Sequence, residues 1–467
     1  MRNHLILPLG LALATAGCAA GPDYTSPGSP ALGIPAQYHQ QEGVPVSDEA
    51  LASWWTRFDD PVLNTLVEQA IDANLDIAQA KARLRQAREA LVQSRADYLP
   101  SVTGSANAGR DFDSDAKDRS SFGLGADASW EVDLFGGISR SVEAARADEA
   151  ATYYNLANVR TAIIAEVAIN YIQARLAQEQ IGIARNTLDI QTENLNIAGW
   201  RVQAGLVSSL DEESARAQRA QTAASIPALE SSYRGSLNRI AVLIGQAPGA
   251  ATDVVEKGGP VPDGPDNIAV GIPADTLRQR PDVRSAERAL AAATARIGVA
   301  QAALLPSLNI SGDVGTSALS LGKLTDVVTG GLFASIAQVI FDGGQRAAQV
   351  RSQRAAAEGA FANYKQTVLI ALEDVENALS ALQAAQQRTG QFTIALDAAN
   401  NSAILARSQY QAGLTDFQTL LTAEQSLLSA REGLASAKAD RALSLAQLYS
   451  ALGGGWQTMD GSIPNGR

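Results

Sequence analysis

Between Phe122 and Leu134 hydrophobic and polar positions alternate without a break. Phe122, Leu124, Ala126, Ala128, Trp130, Val132 and Leu134 fall on one side, and Gly123, Gly125, Asp127, Ser129, Glu131 and Asp133 on the other. Period two over that length predicts a strand with one apolar face. Around it the period lengthens. Leu63, Leu66, Val67, Ala70, Ile71 and Asn74 recur at helical spacing after Pro61, whose missing N–H costs nothing in a first turn. That helix is expected to run on through Ala78, Ala82, Leu84 and Ala87 to Tyr98, where Leu99-Pro100 stops it. Ser139 to Trp200 reads as one helix of about 93 Å at 1.5 Å per residue. Gln203-Ala204-Gly205-Leu206 interrupts it, and a further helix runs from Ser209 to Ile244.

The same plan occurs twice. Leu305 lies 206 residues after Leu99, Gly413 lies 208 after Gly205, and Gly453 lies 208 after Gly245. Landmarks agreeing this closely over half the chain mark an internal duplication. The expected organisation is repeat 1 over 48–248, a Pro/Gly-rich linker over 249–273, repeat 2 over 274–456 and a tail over 457–467. Each repeat offers two strands, 101–109 with 121–134 and 307–315 with 329–341. In the second pair Leu332, Ala334, Ile336 and Ile340 share a face that Gln338 interrupts, for which a bulge or a barrel rim is the expected cause. In the second long helix Val368, Leu372, Val375, Leu379 and Leu382 follow heptad spacing, which predicts a coiled-coil seam.

The N-terminus belongs to neither repeat. A weakly basic start and the apolar run Leu5–Ala14 predict a signal peptide over 1–17, too short to span a membrane as a helix. Thr15-Ala16-Gly17-Cys18 resembles a bacterial lipoprotein box, with Thr15 where such boxes usually carry Leu. Cys18 is the only cysteine, so no disulfide partner exists for it, and it is the expected lipid anchor. The proline-rich stretch completing 18–47 is expected to be an extended tether.

Composition then removes whole classes of function. The only histidines are His4 and His39, so His-based acid–base chemistry and thiol or zinc chemistry are missing from the body; no cofactor, metal or catalytic residue is expected. A carboxylate-only hydrolase stays remote, because no acids pair in a pocket motif. A net charge of −12 argues against a nucleic-acid partner. Nine to thirteen residues is the length a tilted strand needs to cross an outer membrane. Four strands cannot close a barrel there, and lipid tolerates no open edge, so several copies must combine. A pair of hairpins on a soluble helical bundle is the alternative.

Trp54-Trp55 with Phe58 and Asp60-Pro61, the segment Leu277 to Val283, the paired Leu-Pro-Ser strand starts and Leu452-Gly453-Gly454-Gly455-Trp456 together resemble the TolC-like outer-membrane factors of tripartite efflux systems, in particular the lipoprotein branch serving RND pumps. The resemblance implies a mixed α/β membrane protein: a homotrimer whose twelve-stranded barrel, four strands per chain, stands in outer-membrane lipid above a long periplasmic α-helical coiled-coil barrel. It implies a passive exit duct partnered by a periplasmic adaptor and an inner-membrane RND pump. A duct for protein secretion and a non-conducting periplasmic scaffold are the rival readings.

The resemblance also assigns residues. The adaptor-contact tips would be Gly205, Leu206, Val207 and Ser208 in repeat 1, with Gly413, Leu414 and Thr415 in repeat 2. Gate positions carried acidic by the family fall on Thr419 and Thr422, with Asp211 and Ser214 as their repeat-1 equivalents. Asp211, Tyr410, Asp416 and Glu424 complete the gate candidates, and Thr415 stands where some members place an arginine partner for the gating tyrosine. Asp211 is the better gate candidate, while Glu212 is expected to act chiefly in a capping box with Ser208 or Ser209. Asp127, Glu131 and Asp133 are the expected pore-lining acids.

Overall fold

The computed structural model describes residues 19–36, 38, 51–112, 119–255, 258–265 and 277–457. After a short helix α1 (Ser29–Leu32) and a 3₁₀ turn (Trp54–Phe58), repeat 1 holds α2 (Pro61–Ala73), α3 (Leu75–Ala96), β1 (Ser101–Asp111), β2 (Arg119–Val132), α4 (Gly137–Gln203) and α5 (Ser209–Leu243). A one-turn α6 (Thr252–Val255) lies in the linker. Repeat 2 holds α7 (Pro281–Ala302), β3 (Ser307–Ala318), β4 (Val328–Ala337), α8 (Gln345–Gln411) and α9 (Phe417–Ala451). The two long helices have 67 residues each, about 100 Å of helix. No helix among the described residues is long and apolar enough to cross a membrane.

Two sequence expectations need correction. The single helix expected from Pro61 to Tyr98 is two helices, because Asn74 has extended backbone and its side-chain oxygen accepts from Asp76 N and Ile77 N, ending α2 and capping α3. The strand expected over 329–341 ends at Ala337, so Gln338 lies past the sheet and no bulge is needed to explain it. β1 and β3 in turn run further than expected, to Asp111 and Ala318.

The four strands form one antiparallel sheet in the order β1-β2-β3-β4, with β2 and β3 joining the repeats. The register sorts the faces. Val102, Leu124, Trp130, Ile310, Leu332 and Ile336 fall on one face, and Thr103, Asn107, Asp127, Glu131, Asn309 and Asp313 on the other, with Phe333 the exception on the polar side. The apolar face is open to solvent in a single chain, Leu332 being 80% and Ile336 72% exposed. β1 and β4 are unpaired edges.

Below the sheet the helices continue as a wall. Nearest the strands, α3 packs on α4, α4 on α7 and α7 on α8; further down, α5 packs on α4, α4 on α9 and α9 on α8. One flank of the wall is therefore α3 above α5, and the other is α8 throughout. The heptad seam of α8 holds: Val368, Val375, Leu379 and Leu382 are buried and Leu372 half-buried. A knot of aromatics fixes the level where the helix layers meet. Trp54 stacks on Tyr449 at 5.3 Å, and Tyr171 donates to Asp60 at 2.6 Å while Asp60 caps α2.

Residues 19–23 dock where the sheet meets the helices. Ala20 N donates to the Phe135 carbonyl at 2.9 Å, and the buried Arg140 donates to the carbonyls of Ala20 and Gly21 and to the Asp23 carboxylate at 2.5 Å. The segment is thus tied to the β2–α4 corner, and further along Leu32 is buried against Leu277, Val283 and Tyr364 of repeat 2. Cys18 and the segment expected to be a signal peptide lie outside the described residues.

Candidate functional site

The polar face of the sheet carries more acid than the sequence pattern alone disclosed. Asp127 pairs directly with Asp313 across β2 and β3, and Glu131 sits beside Asn309 on the same face. Like charges directly opposite one another destabilise a strand pair, so the pairing is a local cost to the sheet. Asp133 leaves the set. It follows the end of β2, and its carboxylate accepts from Ile138 N at 3.1 Å and Ser139 N at 2.8 Å, capping α4. Asp342 caps α8 in the same way through Gly344 N and Arg346 N, and those hydrogen bonds hold its carboxyl below the usual range.

At the far end of the long helices the two tips share one construction. Gly205 and Gly413 have φ of +70° and +73°, and each ends its helix with paired bonds back into the last turn: Leu206 N to Arg201 O at 2.9 Å, Leu414 N to Gln409 O at 2.8 Å. This is the left-handed closure that glycine supplies without strain. It leaves Leu206 73% and Leu414 78% exposed, with Trp200 and Leu210 also exposed beside the first tip. Val207 is half-buried, and Ser208 caps α5 by accepting from Leu210 N at 3.2 Å. Thr415 is half-buried, and Asp416 caps α9 by accepting from Thr419 N at 2.7 Å. Bonds from Thr419 lower the Asp416 carboxyl pKa. Glu212 does not close a capping box; its carboxylate pairs with Arg216 at 3.3 Å. Asp211 is half-buried; its backbone N–H donates to the Ser208 carbonyl at 3.1 Å, and its carboxylate has no hydrogen-bond or ion-pair partner among the described residues. Thr419 and Thr422 are exposed, Thr422 donating to the Gln418 carbonyl at 2.8 Å.

Between the tips and the middle of the molecule, two contacts tie the repeats together. The Arg201 guanidinium lies 4.3 Å from the Tyr410 ring centre and donates to the Tyr410 carbonyl at 3.2 Å. Tyr410 also packs on Phe417, and its buried hydroxyl has no hydrogen-bond partner in the described chain. About two turns further from the tips, the buried Glu424 carboxylate accepts from Asn194 at 2.6 Å and from Arg407 at 2.8 Å. α4 is thereby joined to α8 through Arg201 and to α9 through Asn194. Arg201 and Asn194 were not identified from sequence; an arginine in the last turn of a helix reads as a partner for its own terminus. Among the described residues no group of His, Cys, Asp and Glu is arranged to hold a metal.

A family model described as "Outer membrane efflux protein" matches residues 66–246 and 272–454, one match per repeat. Among relatives, Nodulation protein T of Rhizobium leguminosarum bv. trifolii is 32% identical over 86% of both chains. The pyoverdine export outer membrane protein OpmQ of Pseudomonas putida is 29% identical over 98% of both. Among solved structures, the outer-membrane channel OprN superposes with a TM-score of 0.84 at 36% identity, covering 94% of this chain and 100% of that one.

Proposed function

This chain belongs to the outer membrane efflux protein family, and we propose that it conducts small molecules, drugs among them, delivered by an inner-membrane RND pump through a periplasmic adaptor. The chain is a non-enzymatic outer-membrane channel of the tripartite kind: three copies build a twelve-stranded barrel in the outer membrane, and its helices extend into the periplasm. The observation that carries the channel reading is the sheet, in which one exposed apolar face suits lipid, one polar face suits a water-filled lumen, and two open edges call for further copies.

The finer reading draws on the tips and the N-terminus. Leu206 and Leu414, presented on rigid turns at the periplasmic end, suit contact with an adaptor. Acylation of Cys18 would anchor the chain in the inner leaflet, and docking of residues 19–23 at the base of the sheet favours that position. The likeness to a pyoverdine exporter favours small-molecule cargo. The test is accumulation of a fluorescent efflux dye in the host with and without the gene. Higher dye retention in the deletion, restored by the wild-type chain, is expected. Unchanged dye retention together with loss of a secreted protein would move the assignment to a secretion duct, and a purified trimer that does not conduct in planar bilayers would overturn the channel.

A further inference from the structure

Charge on the helical wall is placed against the sign of the whole chain. Within about 30 Å of the sheet, residues 81–96 of α3, 137–157 of α4, 283–302 of α7 and 345–365 of α8 carry 14 Lys and Arg against 6 Asp and Glu. That is a net +8 in a chain of net −12. Exposure sharpens the contrast. Lys81, Arg83, Arg85 and Arg95 on α3, Arg146 on α4, and Arg351, Arg354 and Lys365 on α8 are exposed, against Glu89 and Glu358 alone among the acids of these stretches. None of these eight basic side chains has a hydrogen-bond or ion-pair partner among the described residues. Lower on the wall exposed arginines do find acids: Arg185 pairs with Glu230 at 2.8 Å and Arg388 with Asp440 at 2.6 Å.

One side of the wall holds nearly all of them. The tether marks the outer side, because an acyl chain on Cys18 must reach lipid and residues 20–24 lie against Arg140 and Glu287. Ser141, Ala145 and Asp148 project from the opposite side of α4. They share a cleft with Ala87, Ala90 and Ser94 of α3 and with Gln349 and Gln353 of α8, which puts those residues on the lumen side. Lys81, Arg85, Arg95, Arg351, Arg354 and Lys365 point about 100° or more away from that side, and Arg146 borders the cleft beneath the tether. Of the eight, only Arg83 turns to the lumen, where Arg296 is already paired with Asp148.

We propose that this outward basic collar binds peptidoglycan, the anionic cell-wall polymer through which a duct of this length passes. The inference rests on the trimeric outer-membrane reading and adds a partner met along the outside of the duct, away from its tips. The stem peptides of that polymer carry more carboxylates than amines, so it attracts a cationic surface. Depth selects the polymer over lipid headgroups. Headgroups occupy about 5–8 Å beyond the hydrocarbon, and a screening length adds about 8 Å. Arg95 and Arg351 fall within that reach, about 2 and 9 Å below the sheet ends of their helices. Arg85, Lys81 and Lys365 lie about 17, 23 and 30 Å down, so a lipid surface would leave the lower half of the collar unused. The sidedness argues against cargo as the reason for the charge, since a collar serving anions in transit would face inward.

The test is co-sedimentation of the detergent-solubilised full-length trimer with purified peptidoglycan sacculi. The wild type should pellet with sacculi at low ionic strength and be released by high salt. The combined variant Lys81→Gln, Arg85→Gln, Arg351→Gln and Arg354→Gln should lower the pelleted fraction at least fivefold, while the trimer forms and conducts as before. Arg85→Lys with Arg351→Lys and Arg354→Lys, which keeps every charge, should pellet like the wild type, and so should the lumen-facing Arg83→Gln. A conducting trimer that does not pellet would overturn the collar and leave the channel reading standing. Pelleting that survives the four Gln substitutions would overturn it too, and loss of co-purified phosphatidylglycerol in that variant would assign the collar to lipid. A particle that is not a trimer would overturn both readings.

Discussion

The side-chain amide of Asn74 donates to the carbonyl oxygen of Leu243 at 2.8 Å, joining the start of α3 to the end of α5. The duplicated site does the same with different chemistry: Arg280, 206 residues after Asn74, donates to the carbonyl of Ala451, 208 after Leu243, also at 2.8 Å. Each is a helix start set against a helix end, so a carbonyl that its own helix leaves without a partner is satisfied by the next helix. Asn74 is 4% exposed and caps α3 with its oxygen while its nitrogen makes this bond. Asn74→Ala removes both roles and leaves a buried carbonyl unpaired, at a cost of about 2–3 kcal/mol. The expected result is a lower thermal unfolding midpoint for the detergent-solubilised protein. An unchanged midpoint would show that water replaces the amide.

Two contacts near the tips make separable predictions. Arg201 on Tyr410 and Asn194 on Glu424 hold α4 to the second hairpin near the tips; if that end gates the channel, loosening either should widen it. Arg201→Ala and Glu424→Ala should each raise single-channel conductance at least twofold in planar bilayers. Asp211→Ala should also raise it if that carboxylate faces the constriction. Tyr410→Phe should leave conductance unchanged, because the hydroxyl it removes has no hydrogen-bond partner in the described chain, while the ring and backbone that Arg201 uses remain. A Tyr410→Phe effect as large as that of Arg201→Ala would place the gate on the hydroxyl instead.

Most of the architecture was legible because it is periodic. Strict alternation over Phe122–Leu134 located β2, heptad spacing located the seam of α8, and offsets of 206 and 208 residues between Leu99/Leu305 and Gly205/Gly413 revealed the duplication. What escaped was not periodic. Asn74 sits on the helical stripe of α2 and so concealed the break it creates, although an Asn followed by Leu-Asp is also a cap signal. The end of β4 was overrun because Ile340 and Phe341, 97% and 90% exposed, are as apolar as a strand yet belong to the corner below the sheet. Asp313 became visible as a partner of Asp127 only through the register, and Arg201 meets Tyr410 across 209 residues without being its repeat equivalent.

Asp127 and Asp313 pair across β2 and β3; if their face lines the lumen, three copies would put six carboxylates at one level of it. Their field should favour cations there. The double variant Asp127→Asn with Asp313→Asn should lower the cation-to-anion permeability ratio at least twofold, read as a reversal potential in a salt gradient. Asp313→Asn alone should stabilise the sheet, since it removes a directly opposed like charge worth some tenths of a kcal/mol. Anion preference in the wild type would mean that other groups set the field.

The two tips should respond differently to acid. Asp416 caps α9 with a carboxylate, whereas its counterpart Ser208 caps α5 with a hydroxyl that does not titrate. Bonds from the Thr419 side chain and backbone N–H place the folded pKa of Asp416 below the value it has when unfolded. For a carboxyl shifted in that direction the stabilisation is complete above the unfolded pKa, near 3.9, and is lost as pH falls through the lower folded value. Above pH 5 both tips should therefore show the same protection from amide hydrogen exchange. Below about pH 4 protection over Phe417–Leu420 should fall while that over Ser209–Glu212 persists. Asp416→Asn, which keeps a neutral acceptor at the cap, should abolish the difference between the tips, and equal acid loss at both in the wild type would show that the cap does not govern the second tip.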